Sequence, residues 1–419
     1  MPRLLLYYHF FHPNDVVSAR QFSDLAVEQV KRGWEVIAVT SDRDWNAPTA
    51  SYPAQETWQG VDIRRVHRPA WPQARALPRL GNSAYLLSAW AAQSRHLPEA
   101  DAIVVGSDPA FSPTLAIALK RMRPKTPILH WCFDLYPEAI EAEGGRAVSA
   151  LVPLARRTMA AAYRRCDVIV DIGQTMRRRL EGYGAGARHE TLVPWALFEP
   201  EQPLIPDANV RASLFPKAKL ALLYAGTMGR AHDFEMILRV ARASRAASGQ
   251  DISFCFACRG NRMNELRAAV GPDDINISFA PFAAESELPA RLAAADVHIV
   301  SLRAEWEGIV VPSKFFASLA VGRPVLFAGP NDSEIAQWIA SLGVGLSVAQ
   351  ESEVPAIVAR LHDLASDPAK RARWQGHAHE TYGARFSKRV TNDRWNQLLR
   401  ESLADPNRGE SSGDPSLKA

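Results

Sequence analysis

Residues 3–40 read RLLLYYHFFHPNDVVSARQFSDLAVEQVKRGWEVIAVT and contain one complete strand–helix–strand pattern. The apolar runs Leu4–Tyr8 and Val36–Thr40 each predict a short buried β-strand. Residues 18–32 place apolar side chains at the spacing of one helix face, namely Phe22, Leu25, Ala26 and Val30. A helix that connects two buried strands favours a parallel pair, with the helix packed on one face of the sheet.

The same alternation continues along the rest of the chain. In the first half, further apolar runs predict strands at Ile63–Val66, Ala102–Val105, Ile128–Cys132 and Val168–Ile172. A second series of predicted strands comprises Leu220–Ala225, Ile252–Ala257, Ile277–Phe279, Val297–Leu302 and Val325–Ala328. Continuous apolar strands separated by helices predict an α/β fold with two parallel sheets, each covered on both faces.

The domain organisation follows from these two series. Residues 197–216 contain four prolines and predict a linker between two Rossmann-like domains, at 1–198 and 199–380. A helix over 381–404 is predicted to return to the first domain. Residues 405–419 are polar and predict a disordered tail.

The composition limits the class of protein. The chain has 419 residues and a formal net charge of +4, which argues against a nucleic-acid-binding protein. Its four cysteines are too few for a disulfide framework, and the spacing of Cys255 and Cys258 falls inside a predicted strand, so no metal site is expected. There is neither an apolar run long enough for a membrane span nor the pattern of a secretory signal. We therefore expect a cytoplasmic location.

A glycine-containing turn follows the first strand of the second series. The segment YAGTMGR, residues 224–230, runs from the strand into the turn and then into a predicted helix. Gly226 and Gly229 allow a ligand to approach the backbone closely, and Arg230 adds a positive charge. A phosphate site and an ordinary tight turn are both compatible with this pattern.

The segment EWEGIVVPSK, residues 305–314, carries a stronger signal. It follows a predicted strand, and Ser313 stands where it would cap the next helix. Near the N terminus, Ser18 and Gln21 stand at the spacing of a capping box for the helix at 18–32. Both serines are therefore predicted to hold helix starts.

The chemistry of residues 305–314 suits a diphosphate. Free backbone N–H groups at the helix start, the hydroxyl of Ser313 and the ammonium of Lys314 all attract negative charge. Glu307 can accept hydrogen bonds from the hydroxyl groups of a sugar. The structural alternative is an ordinary capped helix without a ligand.

Residues 305–326, which end in AVGRPVL, resemble the donor-site region of retaining family-four glycosyltransferases, above all bacterial cell-surface sugar transferases with a P-S-K motif. The resemblance extends through most of the chain and includes HFFHPNDVVSARQFSDLA at 9–26 and HWCFDLYPEA at 130–139. It implies a GT-B fold, in which two Rossmann-like domains face each other across a cleft. It also implies transfer from a nucleotide-sugar donor, such as a UDP- or GDP-sugar, with retention of configuration and without a metal or other cofactor.

The resemblance also assigns residues to the donor. Ser313 and Lys314 are expected to hold the phosphates, and Glu307 and Gly308 to lie near the transferred sugar. The remaining donor-binding positions are Arg230 and Arg259 around the diphosphate, with Phe282 and Glu287 near the nucleobase. Many relatives have a second glutamate that clasps the ribose; Ala317 stands at that position, which leaves the ribose contact unassigned.

The acceptor-side candidates are His12, Arg20 and Asp134. His12 and Asp134 each follow a predicted strand, where they would orient an acceptor hydroxyl, and with Glu307 and Lys314 they complete the predicted catalytic set. Hydrogen bonds that stabilise turns are the alternative role of His12 and Asp134. Arg20 would bind an anionic acceptor or, as the alternative, extend into solvent from its helix.

Four arginines lie among apolar residues in LVPLARRTMAAAYRRC: Arg156, Arg157, Arg164 and Arg165. They predict peripheral contact with an anionic membrane surface at its inner face, with a solvated helix face as the alternative. The leading functional hypothesis is a glycosyltransferase that transfers sugar to a saccharide or lipid-linked acceptor. The alternatives are a nucleotide-sugar epimerase with the same fold and a noncatalytic protein that binds a nucleotide-sugar or a partner.

Overall fold

The computed structural model describes residues 1–45, 47, 49–71, 76–144 and 152–404. Its contacts divide the chain into two compact units, one formed by Met1–Val193 together with the chain from Asn392 onward, and one formed by Pro194–Thr391. The predicted disordered tail, 405–419, lies outside the described residues.

The first unit is built on an eight-stranded sheet. Its elements up to Val193, in chain order, are β1 (Arg3–Tyr7), α1 (Val17–Lys31), β2 (Glu35–Ser41), β3 (Gln55–Trp58), β4 (Val61–Val66), α2 (Ala76–Ser94), β5 (Ala102–Gly106), α3 (Leu115–Met122), β6 (Ile128–Trp131), α4 (Glu138–Glu143), α5 (Val152–Tyr163), β7 (Val168–Asp171), α6 (Gln174–Glu181) and β8 (Arg188–Thr191). The strand order is β3-β4-β2-β1-β5-β6-β7-β8. Every pair is parallel except β3–β4, and Leu4 of β1 pairs with Val36 on one side and Ala102 on the other.

The second unit is built on a six-stranded sheet. Its elements are α7 (Ala208–Leu214), β9 (Leu220–Thr227), α8 (Glu235–Ser248), β10 (Ile252–Arg259), α9 (Met263–Ala269), β11 (Ile277–Phe279), α10 (Leu288–Ala293), β12 (Val297–Ser301), α11 (Lys314–Ala320), β13 (Val325–Ala328), α12 (Glu334–Leu342), β14 (Gly345–Val348), α13 (Val354–Ser366) and α14 (Pro368–Arg385). The strand order is β11-β10-β9-β12-β13-β14 with all pairs parallel. This is the order of a doubly wound Rossmann sheet, whose ligand site lies where the winding direction reverses, here between β9 and β12.

The last helix, α15 (Lys388–Ala404), belongs to the first unit from Asn392 onward. Arg32 donates to Asp393 at 2.7 Å, and the rings of Trp131 and Trp395 pack at 4.9 Å between centroids. Helix α15 therefore contributes to the core of the first unit.

Buried apolar side chains explain why both sheets form. Leu4, Leu5, Leu6 and Tyr7 of β1 are fully buried, as expected for a central parallel strand covered on both faces. One core of the second unit lies between its sheet, α8 and α13, and includes Leu222, Ile237, Phe254, Val297 and Leu361. None of the helices in the described ranges is both long and apolar enough to cross a bilayer.

Three strands were not predicted from the sequence: β3 (QETW), β8 (RHET) and β14 (GLSV). Each forms an edge of its sheet, and most of its residues are exposed or only half-buried. An edge strand has one neighbour and reduced cover, so it does not require a continuous apolar run.

The predicted capping box at Ser18 is wrong. Helix α1 begins at Val17 after Val16, and no side chain caps it. Ser18 therefore lies within the first turn, where its side chain is hydrogen bonded to the buried Tyr8. In addition, part of the predicted linker forms α7, which is capped by the carboxylate of Asp207.

Candidate functional site

The loop that follows β9 is held by backbone hydrogen bonds to the ends of two neighbouring strands. The N–H of Met228 donates to the carbonyl of Arg259 at 2.6 Å, at the end of β10. The N–H of Arg303, just beyond β12, donates to the carbonyl of Ala231 at 2.8 Å. These bonds fix the loop at the carboxyl edge of the sheet, at the reversal point between β9 and β12.

Two glycines allow the backbone to pack closely at this edge. Gly226 has a φ of +114°, and a Cβ there would lie 3.0 Å from Cε of Lys314. Gly260 has a φ of +130°, and a Cβ there would lie 2.3 Å from the carbonyl oxygen of Met228. Glycine is therefore required at both positions, by backbone conformation and by space.

Lys314, the first residue of α11, reaches back to the end of β9. Its Nζ donates to the carbonyl of Thr227 at 2.8 Å and lies 5.3 Å from the centroid of the Tyr224 ring. Burial lowers the pKa of Lys314 to about 8, because removal from water disfavours the ammonium. The ammonium is thus held in place at the reversal point between β9 and β12, where a bound anion would favour its charged form.

His232 is the second polar group at this point, and the sequence analysis missed it. Its Nδ1 lies 2.8 Å from the carbonyl of Ser301 and its Nε2 lies 3.4 Å from Nζ of Lys314. Burial, followed by the nearby charge of Lys314, lowers the pKa of His232 to about 3. The only signal in the sequence is its place in the loop after a glycine turn, five residues beyond β9.

The loop between β12 and α11 contains the other predicted sugar and phosphate contacts. Glu307 is half-buried, and its carboxylate has no hydrogen-bond or ion-pair partner within the described part of the chain. Ser313 occupies the N-cap position of α11, but its hydroxyl makes no capping hydrogen bond, so the predicted cap is wrong there too. The reason is local, because Ser313 already has helical φ and ψ angles of −61° and −18°.

The predicted nucleobase contacts lie at the neighbouring strands. The guanidinium of Arg259, at the end of β10, stacks over the ring of Phe282, which is 44% exposed. Glu287 is exposed and pairs with Arg291 at 4.0 Å, the spacing of an ordinary helical ion pair. Arg230 lies exposed in the loop between β9 and α8.

In the first unit, the ends of β1, β5 and β6 bring acidic and phenolic groups together. Asp134 is close enough to Asp108 for that charge to raise its pKa, but burial is the larger cause, and the pKa reaches about 6. The pKa of Tyr136 is raised mainly by burial, and the charges of both carboxylates raise it further. Asp108 also meets Nδ1 of His9 at 3.2 Å. Sequence reasoning identified Asp134 but missed Asp108 and His9.

The other acceptor-side candidates have different surroundings. His12 stacks on the ring of Trp58 at 4.0 Å, and its backbone N–H donates to the hydroxyl of Ser23. Burial lowers the pKa of His12, which favours a neutral imidazole. Arg20 is half-buried in α1.

The structure also describes the groups considered for metal and lipid. Over the residues it covers, no three His, Cys, Asp or Glu side chains are grouped so that they would hold a metal ion. Cys255 and Cys258 are buried in β10. Among the four arginines of the predicted lipid contact, Arg156 forms ion pairs with Glu141 at 2.6 Å and Glu138 at 3.5 Å.

Solved structures with the same architecture define the class of fold. Sucrose-phosphate synthase from Thermosynechococcus elongatus superposes with a TM-score of 0.70 at 15% identity, over 96% of this chain and 100% of the other. Alr3699/HepE from Anabaena, in complex with UDP, superposes with a TM-score of 0.61 at 12% identity, over 96% and 100%. The chain has the GT-B fold, with two parallel-sheet α/β domains, as the resemblance implied.

Sequence comparison gives a narrower relationship. Residues 18–196 match the model of a family described as a glycosyl transferase 4-like domain. The chain is also 26% identical over 235 residues to the probable glycosyltransferase WbjE of Pseudomonas aeruginosa. That match covers 55% of this chain and 57% of WbjE, so it spans little more than half the length of the relative.

Proposed function

We propose that this protein is a retaining glycosyltransferase that moves a sugar from a nucleotide-diphosphate donor to a hydroxyl of a saccharide or lipid-linked acceptor. The pathway we infer is the assembly of a surface polysaccharide or glycolipid, which rests on the P-S-K resemblance. The observation that carries the proposal is the position of the Lys314 ammonium, which lies 2.8 Å from the carbonyl of Thr227 at the reversal point of the second sheet. A Rossmann-type sheet binds nucleotides at that point.

The chemistry of sugar transfer fits the groups at this edge. Cleavage of the donor places negative charge on the departing diphosphate, and catalysis requires cationic or N–H groups already aimed at it. Lys314 would supply a charge there, and Arg230 and the backbone at Ser313 would add to it. The carboxylate of Glu307, which has no partner among the described residues, would accept hydrogen bonds from the sugar's hydroxyl groups.

The acceptor would be oriented by the first unit. Asp134, with its pKa of about 6, is an acceptor of hydrogen bonds at neutral pH, when its carboxylate is ionised. In a retaining transfer, the attacking hydroxyl can pass its proton to the departing phosphate on the same face. A dedicated protein base is therefore not required, and Asp134 would act by orienting the hydroxyl.

The comparisons support the class of reaction. The family model describes glycosyl transferase 4-like domains, and WbjE is described as a probable glycosyltransferase. The Anabaena structure with the same fold holds UDP, which supports a nucleoside diphosphate as the leaving group here. We propose that no metal takes part and that the protein works in the cytoplasm, at the inner membrane surface if Arg156 and its neighbours bind lipid.

Incubation of the purified chain with a panel of UDP- and GDP-sugars, with and without saccharide and lipid-linked acceptors, tests the proposal. Acceptor-dependent release of nucleoside diphosphate, together with a product whose anomeric configuration matches that of the donor, supports a retaining transferase. Isomerisation of the donor without an acceptor would instead identify an epimerase, and binding without turnover a noncatalytic protein. Inclusion of EDTA tests the absence of a metal requirement.

The membrane contact has its own test. Vesicles of neutral and of anionic lipid are sedimented with the chain and with a variant in which Arg156, Arg157, Arg164 and Arg165 are replaced by Gln. Greater recovery of the unmodified chain on anionic vesicles, lost in the variant, supports the contact. Equal recovery on both lipids would refute it.

A further inference from the structure

We propose that His232 is a positioning residue for Lys314: the lone pair on its Nε2 holds the lysine ammonium at the place where the donor diphosphate binds. The inference rests on the proposed function for the identity of the ligand. The pairing of the two side chains follows from the structure itself.

The tautomer of His232 is determined by its partner on the other side of the ring. Nδ1 lies 2.8 Å from the carbonyl oxygen of Ser301. A carbonyl oxygen only accepts, so Nδ1 carries the proton and donates it. Nε2 of the neutral ring is then an acceptor, and it points to within 3.4 Å of Nζ of Lys314.

The ammonium has three N–H donors and two fixed acceptors. The carbonyl of Thr227 takes one N–H at 2.8 Å and Nε2 of His232 takes a second. The face of the Tyr224 ring, 5.3 Å away, encloses the group from a further side. Within the described residues the third N–H has no partner, and it is therefore the one available to an anion.

His232 itself is held on two sides of the loop. The guanidinium of Arg262 donates to its backbone carbonyl at 2.7 Å, and the preceding carbonyl, of Ala231, accepts from the N–H of Arg303 at 2.8 Å. The imidazole is thereby fixed between β12 and the loop that follows β10. A group anchored in this way restricts a flexible lysine, which otherwise has several rotamers of similar energy.

A role of His232 in proton transfer or as a cation is disfavoured by its neighbours. Protonation at Nε2 would place a third positive charge beside Lys314 and Arg262, and burial adds a further cost. The Cys258 thiol and the Tyr224 phenol, which also face this point, have raised pKa values and stay neutral. The imidazole therefore acts as an acceptor throughout the neutral pH range.

Two variants of His232 separate its role as a hydrogen-bond acceptor from the shape of its ring. His232→Phe keeps a planar ring but has no acceptor, whereas His232→Gln retains an acceptor at a comparable reach. The matched control is His298→Gln. His298 is another buried histidine of the same sheet with a pKa of about 3, and its ring bonds Ser318 and Leu292 instead of Lys314.

The first measurement is the titration of Lys314 by NMR in chain labelled at the lysine side chain, with the signal assigned from Lys314→Arg. Loss of the acceptor should lower the midpoint by about half a pH unit or more in His232→Phe, because the charged form loses a hydrogen bond. His232→Gln and His298→Gln should keep the original midpoint. An unchanged midpoint in folded His232→Phe would overturn the inference.

The second measurement is the affinity for UDP and GDP by calorimetry. We expect a loss of about five- to tenfold in His232→Phe, with recovery to within about twofold in His232→Gln. Where turnover is found, kcat and kcat/KM should fall together, since the lysine acts on the departing group. Absence of nucleotide binding in the unmodified chain would contradict the proposed function alone, because the lysine titration still decides the inference.

The unmodified chain provides a measurement that does not depend on folding of a variant. The imidazole ¹⁵N signals of His232 should show the Nδ1–H tautomer with a hydrogen-bonded Nε2, and no protonation between about pH 5 and 9. The opposite tautomer, or a titration within that range, would refute the role.

Discussion

The guanidinium carbon of Arg259 lies 4.2 Å from the centroid of the Phe282 ring, and both side chains are exposed at the carboxyl edge of the second sheet. Within the described residues, the Arg259 guanidinium makes no hydrogen bond or ion pair. A flat cation over an exposed ring provides a platform on which a nucleobase would stack.

We expect Phe282→Ala to weaken UDP or GDP binding about fivefold, because base stacking on an aromatic ring contributes about 1–3 kcal/mol. Phe282→Tyr should keep the affinity. Arg267→Ala is the control, since Arg267 stacks on Phe279 of the adjacent strand in a similar pair. Equal affinity in Phe282→Ala and the unmodified chain, measured by calorimetry, would remove Phe282 from the site.

Lys314→Met should have opposite effects on ligand binding and on stability. Loss of the ammonium should reduce nucleoside diphosphate affinity by about tenfold or more. In the ligand-free chain at pH 7, the same change should raise the free energy of unfolding by about 1 kcal/mol, discounted for the partial exposure of the residue.

The pH dependence follows from the lowered pKa of Lys314, about 8 compared with 10.5 for a lysine side chain in water. Between these values the unfolded chain binds more protons than the folded chain, so the contribution of Lys314 to stability rises with pH. Urea unfolding of the chain and of Lys314→Met from pH 7 to 10.5 measures the difference. It should shrink as the pH rises, and a constant difference would contradict the assignment.

Gly226→Ala is expected to lower both stability and nucleotide affinity. The φ of +114° strains any residue with a Cβ, and the added methyl would press on Cε of Lys314 at 3.0 Å. We expect a loss of about 1–3 kcal/mol in the free energy of unfolding. Gly229→Ala is the matched control in the same loop, because its Cβ would meet no atom within 4 Å. Thermal unfolding compares the stability of the two variants, and an equal loss of stability in both would refute the argument. Calorimetry measures the nucleotide affinity of Gly226→Ala against that of the unmodified chain.

Asp134→Asn should reduce turnover by about tenfold or more if the carboxylate orients the acceptor hydroxyl. The pKa of about 6 is raised from 3.8, so the group ionises only as the pH passes 6. The activity of the unmodified chain should therefore fall below about pH 6, and this acid limb should be absent in Asp134→Asn. A pH–rate profile with the same acid limb in both chains would exclude Asp134 as its source.

Ionisation of Asp134, which should increase activity, should lower the free energy of unfolding. Between pH 3.8 and 6 the folded chain binds more protons at this position than the unfolded chain. Its contribution to stability is greatest below that range and is lost as the pH rises through 6. Asp134→Asn should therefore be stabilised relative to the unmodified chain at pH 7 and less so at pH 4, as measured by urea unfolding.

The class of fold follows from the sequence alone, because central strands such as β1 and β9 must be apolar along most of their length when both faces are covered. The sequence could not determine the edge strands β3, β8 and β14, which lack that cover. The same limit applied to helix starts. Ser18 and Ser313 are common capping residues, but the backbone angles that place a residue before or inside a helix depend on neighbouring loops.

For the candidate site, the sequence identified Lys314 because a lysine at a helix start after a strand is a local pattern. The hydrogen-bond partner of Lys314 could not be predicted from the sequence. His232 lies 82 residues away in sequence, and only the parallel register of β9 and β12 brings the two side chains within 3.4 Å. The ring nitrogen of His232 that faces the lysine is likewise set by a tertiary contact, since the carbonyl of Ser301 is bonded to the other nitrogen. The residue types determine which chemistry the side chains can perform, but long-range strand pairing determines which side chains lie together in one site.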